Sequence, residues 1–104
     1  MGRVLTSIAP IIELNRAVAL GMAEGPEAGL ALVESLSSEP TLKTYHLLPS
    51  VRGDLLFKLG RHEEAQAAFH EAATLAGNQR EQELLKRRAS LAAAAAHSTA
   101  RNTR

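Results

Sequence analysis

Two glycines constrain this chain more than any other feature. Gly25, followed at once by Pro26, and Gly60 each close one stretch of helical spacing and open another, and they stand 35 residues apart. Glycine supplies the left-handed stop of a helix, and proline the preset φ of a first helical position. Five stretches read as helices, and none alternates apolar and polar residues as a half-buried strand would. The expected fold class is all-α.

The first helix is expected from about Ile11 to Ala23, with Pro10 in its first turn and Leu14, Ala17, Val18 and Gly21 on one face. The second runs from Glu27 to about Leu36 and presents Leu30, Val33 and Leu36. A third lies between Leu42 and Leu59, with Leu48, Val51, Leu55 and Leu59 aligned, and Pro49 kinks it or splits it after a turn around Tyr45. Arg61 to Ala76 forms a fourth, striped with Ala65, Ala68, Phe69, Ala72 and Ala76. Asn78, three residues before Glu81, reads as a cap for a fifth, whose large apolar residues are Leu84, Leu85 and Leu91. One domain is expected over residues 1–96, with 97–104 a polar, frayed tail.

Composition narrows the chemistry. With 104 residues there is room for one small domain, and its core must be aliphatic, because Tyr45, Phe57 and Phe69 are its only aromatic residues. No cysteine is present, which excludes disulfides and thiolate metal sites. A net charge of +1 argues against a dedicated nucleic-acid binder. The charge is uneven, however: residues 80–104 hold six basic and two acidic side chains, net +4, and residues 1–79 hold six basic and nine acidic, net −3. No stretch reads as a membrane span or a secretory signal, so the expected location is the cytoplasm.

The 35-residue interval lies close to the roughly 34-residue period of the tetratricopeptide helix–turn–helix. Gly53, Gly60, Ala65, Phe69 and Ala72 stand at the spacing of that repeat's small and aromatic positions. Gly53 and Ala65 let two helices approach closely, and Phe69 is expected to fill the wedge between neighbouring helix pairs. Pro49, Arg52 and Gly77 depart from the pattern, and the first helix pair matches only loosely. The expectation is a short α-solenoid of about two repeats and a terminal helix, against the alternative of an unrelated small helical bundle.

Three strings extend the comparison: Leu14-Asn15-Arg16-Ala17-Val18-Ala19, Tyr45-His46-Leu47-Leu48, and Arg52-Gly53-Asp54-Leu55-Leu56 running into Leu59-Gly60-Arg61. With Glu64-Ala65, Phe69 and the stretch from Asn78 to Leu85, their order resembles the C-terminal tetratricopeptide-like extension of bacterial RNA polymerase sigma factors of the extracytoplasmic-function type. The resemblance covers about residues 7–92. It implies a regulatory protein-interaction module in transcription initiation, with sigma-factor regions, RNA polymerase or a regulatory protein as partner. Nothing in the chain corresponds to the family's promoter-reading or polymerase-binding regions, so it is not expected to act as a sigma factor alone. A stand-alone tetratricopeptide-type adaptor unrelated to transcription is the alternative. A small-molecule sensor is a third reading, for which pocket-forming aromatics are missing.

If the helices stack as in that repeat, Asn15, Arg16, Ser50, Arg52, Asp54 and Lys58 form the candidate partner-binding groove. The competing reading is structural: Arg16, Arg52 and Asp54 tie the helix pairs together through ion pairs, and Asp54 pairs with Lys58 one turn on. Tyr45 is expected to plug the core with its hydroxyl on a backbone carbonyl, and His46 is either its neighbour there or a pH-sensitive contact. Catalysis is not expected. There is no nucleophile elbow and no phosphate loop, and Glu63-Glu64 simply open a helix. No cofactor is expected, and His62 and His70 stand eight residues apart, about 12 Å by helical rise and too far for one metal ion. Lys86-Arg87-Arg88 reads as a solvated basic face, so direct DNA contact is not expected. Ile8, Ile11 and Ile12 want a cover, and a homodimer through the N-terminal apolar end is the expectation.

Overall fold

A computed structural model describes residues 3–102, with side chains described for 10–98. Five helices follow one another: α1 (Arg3–Glu24), α2 (Pro26–Leu36), α3 (Leu47–Lys58), α4 (His62–Leu75) and α5 (Gln79–Asn102), with a 3-10 turn at Pro40–Leu42 between α2 and α3. No strand occurs among the described residues.

Both turn glycines do what their positions require. Gly25 takes φ 106° and Gly60 φ 82°, a region in which a side chain is strained. At Gly60 the chain closes α3 with two backbone bonds, Gly60 N–H to the Phe57 carbonyl at 3.0 Å and Arg61 N–H to the Leu56 carbonyl at 2.9 Å. That pairing is a Schellman cap, and it satisfies carbonyls the helix would leave open. Pro26 then starts α2 at its first position.

Pro49 resolves into the split arrangement. The 3-10 turn ends at Leu42, and α3 begins at Leu47, so Pro49 falls in a first turn where its missing N–H costs nothing. Pro10 differs from expectation, since α1 starts at Arg3 and holds the proline in its interior. The Pro10 ring is buried, which offsets part of the cost of the lost backbone bond. At the other end α5 runs through His97 to Asn102, and residues 103–104 of the expected tail lie outside the described residues. The alanine run before it is the strongest helix-forming segment of the chain and carries the helix onward.

The core is aliphatic and small-residue. Leu42, Leu56 and Val33 are its largest fully buried side chains, joined by Ala65, Ala68, Phe69, Ala72, Leu85, Ala89 and Ala92. Complete burial of a leucine such as Leu56 contributes about 2 kcal/mol. Helix α4 meets α5 across alanines on both sides, which lets the axes run close. Gly29 of α2 lies directly on α1, where a β-carbon would stand 2.8 Å from the Ala17 carbonyl oxygen. Val18 was expected inside and is instead 40% exposed, because the buried stripe of α1 passes through Leu14 and Ala17. Leu84 and Leu91 also face outward, and Leu85 alone of the three enters the core.

Each helix packs chiefly on its neighbours in sequence. The result is elongated, 57 × 33 × 20 Å, with a radius of gyration of 14.5 Å where about 13 Å is usual for a compact chain of this length.

Candidate functional site

A small junction forms where the start of α3 meets α5. His46, the residue before α3, directs Nε2 to Glu81 Oε1 at 2.9 Å. Glu81 is held in place from below: its backbone N–H donates to Asn78 Oδ1 at 2.8 Å, which caps the first turn of α5. Beside this contact is a cleft of about 190 Å³ lined by His46, Leu47 and Ser50 on one side and by Glu81, Leu84, Leu85 and Arg88 on the other. Its lining is mostly apolar, with the Arg88 guanidinium and the Glu81 carboxylate as its charged groups. Such a lining suits a short peptide segment that buries one apolar side chain and hydrogen-bonds at the edge.

The six groove candidates do not share one surface. Ser50 is buried in the wall of this cleft. Asp54 and Lys58 follow it along the same side of α3 at helical spacing and are exposed, with no ion pair between them among the described residues. Arg52, about 200° around the helix from Ser50, faces the other way. It reaches Glu34 of α2 at 3.0 Å and lines a separate hollow with Leu42, Lys43, Pro49 and Glu71. Arg52 therefore ties α2 to α3. Arg16 stays within α1, 3.2 Å from Glu13, and Asn15 is exposed on the same helix.

Tyr45 packs partly buried against the core and edge-on to His46, ring centroids 6.0 Å apart. Its hydroxyl has no carbonyl partner among the described residues, so the ring alone serves as the plug. Arg61 and Glu64 form a two-pronged ion pair at 2.7 and 3.0 Å across the start of α4. The hydrogen bond to the guanidinium holds the Glu64 carboxyl below its ordinary range, and the same bond raises Arg61.

Sequence reasoning passed over Glu81, Arg88 and Leu47 as site residues. A signal for Glu81 was present, since the capping position that Asn78 prescribes puts its carboxylate at the α5 start. Nothing local announces that His46 would meet it from 35 residues away.

Among the described residues, no three His, Asp or Glu side chains converge to hold a metal ion, and no helix is long and apolar enough to cross a membrane. No family model matches the sequence, and no solved structure matches it. Over 69 residues, 66% of the chain, it is 49% identical to an uncharacterized protein of Rhizobium meliloti (strain 1021), and the match spans 16% of that protein's length.

Proposed function

We propose that this chain is a non-catalytic protein-interaction module, a tetratricopeptide-like stack resembling the C-terminal extension of extracytoplasmic-function sigma factors. The observation that carries the reading is the pair of left-handed glycine turns 35 residues apart, each joining two packed helices. Sequence-neighbour packing and an elongated outline support it further, because repeat stacks are built from such local contacts. The α3/α5 cleft is then the surface for a partner segment. The Rhizobium meliloti relative, far longer than the match, is in keeping with a unit that works inside or beside a larger protein.

Binding of the purified chain to core RNA polymerase, and to a sigma factor of this type shorn of its extension, tests the proposal. Micromolar binding that falls at least about tenfold in Ser50→Arg and Leu84→Asp is the expected result. Binding to neither protein would reject the transcriptional role and leave the reading of an adaptor with a partner elsewhere.

A further inference from the structure

Helix α1 carries an apolar seam that nothing among the described residues covers. Ile11, Val18 and Met22 are 37%, 40% and 79% exposed, and with Asn15 they recur at intervals of four, three and four. At 100° per residue the four fall within an arc of about 60°, a quarter turn away from the buried stripe of Pro10, Leu14 and Ala17. Ile12, Ala19 and Ala23 widen the exposed face. In the sequence, Val4 and Ile8 continue the alternation of fours and threes; their side chains lie outside the described set.

An alternation of this kind is the seam of a two-stranded coiled coil, so the face is shaped for another helix lying nearly parallel to α1. Two observations select which helix. Asn15 stands in the middle of the seam, where it would be desolvated. An amide there needs a partner that both donates and accepts at the same height. In a parallel pair related by a two-fold axis, residue 15 meets residue 15, and each amide satisfies the other. Charge points the same way: the exposed flank of the seam, Ile12, Ala19 and Ala23, carries none, and Arg16, about 130° around the helix from the seam's centre, pairs with Glu13 at 3.2 Å, so two identical faces meet without repulsion. We infer that α1 is a self-association surface on which two copies of this chain pair in parallel, with Asn15 against Asn15 setting the register.

At 22 residues, α1 is about 33 Å long. One helix face of that length buries less than the roughly 800 Å² per partner of a standard interface, so the pair should dissociate in the micromolar range. Sedimentation equilibrium of the full chain from micromolar to near-millimolar concentration is the first measurement, and a monomer–dimer equilibrium is expected. Val18→Glu, on an exposed position that leaves the helical circular dichroism unchanged, should weaken the dimer at least about tenfold. The absence of native cysteine allows register to be read directly. Asn15→Cys should oxidise to a covalent dimer far faster than Glu27→Cys on α2. A monomer throughout the range would overturn the inference, as would a dimer indifferent to Val18→Glu or equal cross-linking at the two cysteines. Uptake of an added amphipathic peptide by a chain that stays monomeric would assign the seam to a different helix and equally reject self-pairing.

Discussion

The ring of Phe69 fills the space that a side chain at Gly53 would need: a β-carbon built on that glycine would stand 2.8 Å from Phe69 Cε1. This notch and its filler let α3 and α4 approach closely. Gly53→Ala gains about 1 kcal/mol of helix propensity yet forces the ring out of place, for a net loss of about 1–2 kcal/mol. Phe69→Leu opens room at a cost of its own, and the double variant should lose less than the sum of the two single losses. Urea unfolding of the four proteins measures the coupling; strict additivity would contradict the notch.

Leu85 and Leu91 look alike in the sequence and differ in the fold, since the first is 4% exposed and the second 60%. Leu85→Ala should cost about 2–4 kcal/mol, and Leu91→Ala under about 0.5 kcal/mol. Thermal melts of the two variants discriminate cleanly between them.

Asn78 caps α5 through the Glu81 amide and so also sets the helix turn that carries Glu81 toward His46. Asn78→Ala should remove about 1 kcal/mol. Asn78→Asp, which retains the acceptor, should restore most of it. A cap that contributed nothing would leave both variants at the parent's stability.

The Glu64 carboxyl is held low by Arg61, so its pairing adds stability above the ordinary carboxylate pKa, and that contribution disappears as pH falls through the lowered value. In Arg61→Gln the carboxyl should titrate in its usual range. Carbon-13 chemical shifts of the Glu64 carboxyl against pH report the change, and an unchanged titration would rule out the pair in solution.

Those turns and caps were the most legible part of the sequence because each depends on one residue's own chemistry. Gly25 and Gly60 tolerate positive φ, Pro49 fits only a first turn or an extended segment, and Asn78 offers an acceptor to an amide three residues on. Facing was harder to read. Val18 sits between two plausible apolar stripes on α1, and only the position of α2 decides that Leu14 and Ala17 go inside. Arg52 and Ser50 belong to the same short string, but the helix turns them to opposite flanks, so one braces α2 against α3 while the other lines the cleft. The His46 contact with Glu81 joins residues far apart in the chain, and no periodicity encodes it.

The elongated build also decides where this molecule comes apart. Since α1 and α5 each lean on one flanking helix for most of their contact, the outer layers should exchange their amide protons first, and the middle, around Val33, Leu56 and Phe69, last. A second strand zipped along α1 would brace the weaker margin, making assembly a means of stiffening as well as of joining.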